Sequence, residues 1–372
     1  MEVIIIGGGL AGLVSSLELA RVGHTVTVVE RKTYPFHKVC GEYVSNEVRP
    51  YLESLGLELH ALGATHIDRF QFTSPSGRSL ETGLDMGGFG LSRYTLDHAL
   101  FQLGQAAGVR FLLGKQVDSV TFQADGFSVE LADGQRLTAR MVLGAYGKRS
   151  RIDKQLERPF MQKPSPYVGV KYHIRTDAPV DTVALHNFKD GYCGLSSIED
   201  GKYCLCYLTT RDNLRPFGNI AAMEQAVLCQ NPHLKRIYET AEFLYEKPGV
   251  INEFSFSPKK AVEQHILMIG DSAGLITPLC GNGMALAIRS GKLASELSTR
   301  FLTNQLSRTE LENRYQAEWS RQFAGRLRVG RTVQRLFGNP WLSEAAVTVF
   351  GGFKPLLRRV IRQTHGAVLA VN

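Results

Sequence analysis

The stretch Met1–Glu30 reads MEVIIIGGGLAGLVSSLELARVGHTVTVVE and combines two apolar runs with a cluster of glycines. β-Branched residues from Val3 to Ile6 lead into three consecutive glycines, and apolar residues then recur at helical spacing. This pattern predicts a strand, a tight turn and a helix. A second apolar strand, Thr25–Val29, ends at Glu30. The order of these elements predicts a βαβ unit.

The glycines of this unit have the G-x-G-x-x-G spacing, with Gly7, Gly9 and Gly12 at the glycine positions. In that motif one glycine allows the turn, one lets the backbone approach a pyrophosphate, and one lets the helix pack on the sheet. The helix N-terminus attracts phosphates, and a carboxylate such as Glu30 accepts hydrogen bonds from ribose hydroxyls. The stretch therefore predicts a dinucleotide site. The alternative is a glycine-rich turn in another kind of α/β protein.

Composition is that of an ordinary soluble protein, since 44% of the 372 residues are hydrophobic and 21% are charged. The motif begins directly after the first residue and no apolar run reaches the length of a membrane span, so we expect a cytoplasmic protein. The cysteines do not have zinc-ligand spacing, and free thiols are expected. They are Cys40, Cys193, Cys204, Cys206, Cys229 and Cys280.

The net charge of +8 is concentrated at the end of the chain. From Arg300 onward there are 12 Lys and Arg residues against 4 acidic residues, so the rest of the chain is neutral overall. A basic helical segment of this kind fits an anionic membrane surface, a phosphorylated substrate or carrier, or nucleic acid. It also fits a simple solvated face. We expect no nucleic acid, and we leave peripheral membrane contact open.

The middle of the chain is predicted to consist mostly of strands. A β-hairpin, a glycine-rich loop and a three-stranded meander are expected at 67–82, at Gly83–Gly90 and at 117–139, respectively. From Tyr167 to Thr210 the pattern stays extended without interleaved helices, which indicates a second domain. Residues 305–365 read as amphipathic helices.

Three separated motifs resemble those of the flavoprotein oxidoreductases that share the para-hydroxybenzoate hydroxylase fold. The first is Gly7–Glu30. The second, Gly144–Ser150, reads GAYGKRS and is similar to the family's G-A-D-G-x-x-S. The third, Gly270–Gly283, reads GDSAGLITPLCGNG and is close to the family's G-D-A-A-G, P, G-x-G pattern. Within the family, the loop Lys38–Glu42, KVCGE, resembles the K-x-C-G-G stretch of the geranylgeranyl reductases.

The resemblance implies FAD as the cofactor and an α/β chain (α+β overall). A Rossmann-type FAD-binding domain with a three-stranded β-meander would be joined to an antiparallel β-sheet substrate domain and C-terminal helices. The expected boundaries are 1–66, 91–160 and 255–300 for the discontinuous FAD-binding domain, 67–90 and 161–254 for the substrate domain, and 301–372 for the helical region.

Cofactor-binding residues follow from the same motifs, and Arg93 looks like the family arginine near the cofactor. Asp271 would accept hydrogen bonds from the ribityl chain, although it could instead cap a helix. A helix beginning near Asn282 would direct its positive end at the flavin pyrimidine. The implied set is Gly7, Gly9, Leu10, Ala11, Gly12, Glu30, Arg31, Cys40, Gly41, Arg93, Val117, Gly144, Ala145, Gly147, Gly270, Asp271, Pro278, Gly281, Asn282 and Gly283.

Two catalytic candidates lie in the loop after the βαβ unit. Cys40 is a candidate proton donor, and a thiol that only fills space is the alternative. His37 is a candidate acid or base by residue type, as is Glu42, with an exposed loop position as the alternative for each. No metal site is expected.

The chain also departs from the family patterns. Tyr146 replaces the usual aspartate of the second motif, which in the hydroxylases is linked to both cofactors, so the handling of NAD(P)H is open. No second G-x-G-x-x-G follows a strand, so NAD(P)H or another electron donor would bind only transiently. The W-x-W-x-I-P motif of flavin-dependent halogenases is absent, which argues against halogenation. The Y-x-W-x-F-P segment of many geranylgeranyl reductases has only Gly191–Leu195 as a counterpart, without Trp or Pro. The substrate is therefore open.

We expect an FAD-dependent oxidoreductase that reduces carbon–carbon double bonds of a lipophilic isoprenoid or polyene substrate, free, phosphorylated or carrier-bound. The alternative is a flavin-dependent monooxygenase acting on an aromatic or polyketide substrate, which the same fold supports. A third hypothesis is a non-catalytic flavoprotein whose basic tail docks to a membrane or a carrier.

Overall fold

The computed structural model describes residues 1–162, 165–252, 254–277, 281–336 and 339–371. Its strands are β1 (Val3–Ile6), β2 (Val26–Glu30), β3 (Tyr43–Ser45), β4 (Thr65–Thr73), β5 (Ser79–Gly90), β6 (Arg110–Leu113), β7 (Val117–Gln123), β8 (Gly126–Leu131), β9 (Arg136–Ala139), β10 (Met141–Gly144), β11 (Tyr167–Arg175), β12 (Thr182–Phe188), β13 (Gly191–Ser197), β14 (Tyr203–Thr210), β15 (Glu242–Phe243), β16 (Gly249–Asn252), β17 (Val262–Glu263) and β18 (Ile266–Met268).

The helices include a long one, α8, that packs on the first βαβ unit. They are α1 (Leu10–Arg21), α2 (Arg49–Ser54), α3 (Arg93–Ala106), α4 (Arg151–Gln155), α5 (Arg211–Leu214), α6 (Ile220–Val227), α7 (Pro232–Thr240), α8 (Gly283–Leu302), α9 (Arg308–Trp319), α10 (Gly325–Leu336), α11 (Pro340–Gly352) and α12 (Lys354–Thr364). Short 3₁₀ turns cover Asn46–Val48, Pro159–Gln162, Glu199–Gly201, Leu228–Gln230 and Gly270–Ser272.

The first sheet has six strands in the order β17-β18-β10-β1-β2-β6, parallel except for the β17–β18 pair. Its strands are nearly continuous apolar runs, as expected for a parallel sheet covered on both faces. The register pairs Ile6 with both Val29 and Gly144, and Gly144 with Met268. Four strands therefore end side by side, which is where ligands bind in open α/β sheets.

The second sheet has the order β15-β11-β14-β13-β12-β4-β5-β3, with β16 paired to β11, and one pairing, β12–β4, is parallel. Strand β3 belongs to this sheet although it lies within the range 1–66 expected for the cofactor domain. The division of the chain into domains stays a prediction. A third sheet, β7-β8-β9, is the predicted meander.

One element was predicted wrongly. Gly83–Gly90 is not a loop, because β5 continues through it to Gly90. A Cβ at Gly88 would lie 2.5 Å from the Tyr43 ring, and one at Gly90 would overlap the Ser197 carbonyl oxygen. These glycines therefore let the strand pass close to its neighbours rather than break it.

The C-terminal helices cover one face of the second sheet. Val347 of α11 and Leu357 of α12 share a buried cluster with Phe72 and Leu80. Beyond α12 the chain returns to buried Glu47, whose carbonyl accepts from Leu369 N–H at 2.7 Å. The carboxylate of Glu47 also binds Arg289 of α8 at 2.9 Å and Arg326 of α10 at 3.1 Å. None of the described helices is both long enough and apolar enough to cross a membrane.

Candidate active site

A cavity of about 1280 Å³ lies between the carboxyl edge of the six-stranded sheet, the second sheet and helices α11 and α12. One part is lined by glycines and charged side chains that follow β1, β2, β10 and β18. The other part is lined mainly by apolar side chains of the second sheet and of the two C-terminal helices: Phe70, Phe72, Leu80, Leu84, Val183, Leu185, Leu342, Val349, Phe350, Leu357, Val360 and Ile361.

The turn after β1 has the geometry that its glycines predict. Gly7 has φ +104°, and a Cβ there would lie 2.5 Å from the Ala145 carbonyl oxygen. A Cβ at Gly12 would overlap the carbonyl oxygen of Gly7, so this glycine lets α1 pack against the turn. The N–H groups of the first turn of α1, at Leu10 and Ala11, face no intrahelical acceptor and lie at the cavity wall.

Gly9 faces the cavity, and two cations lie opposite it. A Cβ at Gly9 would lie 3.4 Å from Lys38 Nζ and 4.0 Å from Arg93 Nη2. Both cations bind the buried Asp97, Arg93 through Nε at 2.6 Å and Nη2 at 2.7 Å, and Lys38 at 3.2 Å. Burial raises the pKa of Asp97, but Arg93 and Lys38 outweigh it and hold that pKa below its ordinary value. Two cationic side chains therefore share one buried carboxylate beside the helix N-terminus.

Glu30 closes the opposite side of the turn. Its Oε2 accepts from Gly8 N–H at 2.8 Å, its Oε1 accepts from Lys32 N–H at 3.0 Å, and the residue is 8% exposed. A carboxylate held in this way at the end of the second strand matches the ribose-binding acid of a dinucleotide fold. Arg31 and Val117 line the cavity nearby.

At the far side, the turn after β18 brings Asp271 to the cavity. Burial raises the pKa of Asp271, and the opposing fields of Lys259 and Arg93 do not cancel that effect. Lys259 donates to the Asp271 carbonyl oxygen at 2.8 Å, and burial lowers its own pKa to about 8. Gly281 and Gly283, before and at the start of α8, also line the cavity.

The loop Lys38–Glu42 is held from the second sheet through its carbonyl oxygens. Three buried side chains on β11, β13 and β14 donate to it. They are Lys171 Nζ to Lys38 O at 3.1 Å, Ser196 Oγ to Gly41 O at 2.8 Å, and Cys204 Sγ to Cys40 O at 3.1 Å. The position of the loop is therefore set by residues more than 130 positions away in the chain.

Glu42 is fully buried and has a positive φ of 55°. Its Oε1 accepts from Lys171 Nζ at 2.5 Å and from Arg93 N–H at 2.7 Å, and its Oε2 lies 2.6 Å from His173 Nε2. Burial raises the pKa of Glu42, but Lys171 and then His173 outweigh it and bring that pKa to about 2. Glu42 is therefore a carboxylate that ties its loop and the start of α3 to β11 of the second sheet.

A chain of hydrogen bonds runs from Glu42 to the surface. His173 Nδ1 lies 3.0 Å from Tyr245 Oη, and the same oxygen lies 3.0 Å from Nδ1 of the exposed His37. The His37 ring stacks on Tyr94 with centroids 4.6 Å apart. Burial, Lys171 and His173 together lower the pKa of His37. Because Glu42 is ionised, His173 donates its Nε2–H to it, and its Nδ1 faces the tyrosine hydroxyl.

Glu42, His173 and Cys204 also place potential metal-ligand atoms within 4.8 Å of one another. However, Lys171 Nζ already occupies the position a cation would take at Glu42. Burial also raises the pKa of Cys204 well above its ordinary value, which disfavours the thiolate that metals bind. The donor set therefore fits an internal ion pair better than a metal.

Most of the predicted site residues lie at this cavity. Three do not line it: Gly12 and Gly144 pack beneath the turn, and Asn282 is buried at the start of α8. Pro278 lies outside the described residues. The residues that line it are Gly7, Gly9, Leu10, Ala11, Glu30, Arg31, His37, Cys40, Gly41, Arg93, Val117, Ala145, Gly147, Gly270, Asp271, Gly281 and Gly283.

Tyr146, which replaces the family aspartate, lies partly buried against β18. Its hydroxyl donates to Met268 Sδ at 3.1 Å, and burial raises its pKa. The side chain therefore packs on the sheet and carries no charge to the cavity.

Sequence reasoning missed Lys171, His173 and Tyr245. Lys171 and His173 lie two residues apart on one face of β11, and two polar side chains among the apolar residues 168–174 were a usable signal. Nothing in the local sequence distinguishes Tyr245, because its role depends on contacts with His37 and His173 from distant segments.

Comparison with known proteins agrees with this geometry. Two relatives cover most of the chain. "Menaquinone reductase" of Mycobacterium tuberculosis (strain ATCC 25618 / H37Rv) is 25% identical over 319 residues, which are 80% of this chain and 76% of the relative. "Digeranylgeranylglycerophospholipid reductase 2" of Methanopyrus kandleri is 23% identical over 348 residues, which are 90% and 86% of the two chains.

A solved structure shows the same fold. The crystal structure of pqsL, a probable FAD-dependent monooxygenase from Pseudomonas aeruginosa, superposes with a TM-score of 0.76 at 18% identity, over 94% of this chain and 99% of that one. At this identity the likeness concerns the fold alone.

The residues at the cavity fit FAD. Gly9 leaves space where any side chain would project toward Lys38 and Arg93, and Glu30 is held at the ribose position. The first turn of α1 and the two cations suit a pyrophosphate. The family described as "FAD binding domain" matches residues 1–321. The chain therefore belongs to this FAD binding domain family and is an FAD-dependent oxidoreductase.

Proposed function

We propose that this oxidoreductase reduces carbon–carbon double bonds of a lipophilic isoprenoid or polyene substrate. The observation that carries the proposal is the apolar part of the cavity, where Phe70, Leu185 and Phe350 represent a wall with few polar groups. Burial of a long hydrocarbon against such a wall is favourable, whereas a charged aromatic acid would find few polar partners there. Both relatives are named reductases, and one name includes geranylgeranyl, an isoprenoid group.

FAD, when bound and reduced, supplies the hydride that such a reduction needs. The chain's own residues hold the cofactor and the substrate. The first turn of α1, Arg93 and Lys38 would hold the pyrophosphate, and Glu30 would hold the ribose. The apolar wall would exclude water from the double bond, and the three sheet donors would fix the loop that carries Cys40. We propose NAD(P)H as the reductant. Its binding would be transient, because no second G-x-G-x-x-G occurs in the sequence.

Reduction of a double bond also consumes a proton, and the hydrogen-bond chain behind the loop is the proposed supply. His37, at the exposed end, lines the cavity and accepts a proton from solvent. His37 would donate this proton to the carbon that does not receive the hydride and would then take another proton from solvent. Tyr245 Oη links His37 Nδ1 to His173 Nδ1, so that Glu42 would stabilise the positive charge carried along this chain. In this scheme Cys40 forms part of the wall rather than the proton donor.

The test is an anaerobic single turnover. The holoprotein is reduced with dithionite and mixed with a detergent-solubilised geranylgeranyl glycerolipid, with the fully saturated lipid as the matched control. The proposal predicts that only the unsaturated lipid oxidises the flavin and that the product gains two hydrogen atoms per reduced bond. A product that forms only with oxygen and gains an oxygen atom would instead establish the monooxygenase.

A further inference from the structure

Large exposed apolar side chains are concentrated on the two helices that cover the cavity. Trp341 is 86% exposed, Phe353 is 59% exposed and Val349 is 55% exposed, with Leu342 and Leu356 at 42% and 38%. An exposed apolar cluster of this kind marks an interaction site more often than chance exposure. The cluster consists of α11, Phe353 and the first turn of α12, and we call it the C-terminal apolar face.

Helical spacing separates this face from the packed side of α11. Trp341, Ala345 and Val349 recur every four residues on the exposed side. Ser343 and Val347 are buried on the opposite side. The packed side already accounts for the helix's contribution to the core, where Val347 meets the second sheet. The exposed apolar residues are therefore additional to what folding requires.

The face adjoins cationic side chains. Arg358, Arg359 and Arg362 are exposed on α12, just after Leu356, and Arg362 pairs with Asp85 of β5 at 2.7 Å. After Pro340 the sequence contains one acidic residue, Glu344, and it accepts from Ser76 N–H at 3.1 Å. Three arginines of α12 therefore stand against the two acids Glu344 and Asp85, and the surroundings of the face are positive. A second copy of the chain would place like charges against each other across a symmetric interface, which disfavours a dimer here.

The cavity reaches the surface at the same place. Leu342 and Val349 both line the cavity and are exposed, so the apolar part of the cavity is continuous with the face. A substrate that dissolves in lipid rather than in water would enter most directly through such an opening.

We propose that the C-terminal apolar face docks on an anionic lipid bilayer, with Trp341 and Phe353 inserted at the headgroup boundary and the α12 arginines contacting anionic headgroups. Tryptophan is favoured at that boundary, and apolar burial and cationic attraction act together in interfacial helices. This inference extends the proposed function, because it supplies the route by which a lipid-soluble substrate reaches the cavity.

The experiment measures sedimentation of the holoprotein with phosphatidylcholine vesicles and with phosphatidylcholine–phosphatidylglycerol vesicles. We expect binding mainly to the mixed vesicles, weakened by salt. Trp341→Ala with Phe353→Ala should reduce that binding by about tenfold or more, and Arg359→Glu by about fivefold. Phe217→Ala, which removes an aromatic side chain 36% exposed elsewhere, should leave it unchanged. Retained flavin absorbance would show that each variant is folded.

Equal binding by wild type and the Trp341/Phe353 variant would overturn the inference, as would no binding by wild type. So would a wild-type dimer in solution that the same variant dissociates, because the face would then be a protein interface. Vesicle binding requires no turnover. Docking without reduction of the lipid would therefore contradict the proposed function alone, and reduction of detergent-solubilised lipid without docking would contradict this inference alone.

Discussion

The two walls at the polar end of the cavity are built in different ways. The wall at Gly7–Glu30 is made of consecutive residues, and its groups are backbone N–H, glycine space and one carboxylate. The wall at Lys38–Glu42 is made of a loop whose shape is set by Lys171, Ser196 and Cys204 from the second sheet. The first wall is thus local in sequence, and the second exists only after the loop has packed on the second sheet.

The largest expected effect breaks the local wall. Gly9→Glu places a carboxylate where the phosphates of FAD would lie, close to Lys38 and Arg93. We expect purified protein without flavin absorbance. Gly325→Glu is the matched control, because a Cβ at Gly325 meets open space, and it should retain the flavin. Stoichiometric FAD in the Gly9 variant would contradict the site assignment.

The next effect breaks the assembled wall. Glu42→Gln leaves Lys171 and His173 buried without their carboxylate, and removing one partner of a buried pair costs about 3 kcal/mol. Urea denaturation should show this decrease in the free energy of unfolding. Glu53→Gln, at an exposed pair with Arg49, should change it by less than about 0.5 kcal/mol. If Glu42→Gln also lowered the free energy of unfolding by less than about 0.5 kcal/mol, the loop would be held without this ion pair.

The same carboxylate predicts a pH dependence. Its pKa is about 2 in the folded chain against an ordinary 4.5, so its contribution is complete above pH 4.5 and is lost as the pH falls toward 2. Wild type should therefore lose more stability over that range than Glu42→Gln does. Parallel pH curves for the two proteins, measured by thermal unfolding, would show that Glu42 is not ion-paired.

The mildest variant tests proton supply rather than the assembly of the loop. Tyr245→Phe interrupts the chain between His37 and His173, so kcat should fall by about tenfold while flavin content is unchanged. Tyr94→Phe keeps the ring that stacks on His37 and is the matched control. Because proton transfer then limits turnover more strongly, the Tyr245 variant should also show a larger solvent isotope effect on kcat. Unchanged kcat and isotope effect would exclude this path.

The contrast between the walls explains what could be predicted from sequence. The glycine spacing, Glu30 and the βαβ order are local, so the first sheet and its turn were predicted. Gly83–Gly90 was read as a loop because glycine propensity does not reveal a strand that needs close neighbours. Glu42 was named only by residue type, since its partners Lys171 and His173 become neighbours through β11 in the folded chain.

The bonds to Glu47 limit how the cavity can exchange its contents. The segment from α11 to α12 is tied down on both flanks, by Arg326 of α10 on one side and by Leu369 beyond α12 on the other, both bound to this one residue. A hinged opening of the two helices would have to break the bonds that Gly366 N–H and Leu369 N–H make to Glu47. We therefore expect a long hydrocarbon to enter between Leu342 and Val349 while α11 and α12 stay in place. Removal of the last residues should increase the mobility of these two helices and leave the turn after β1 unchanged.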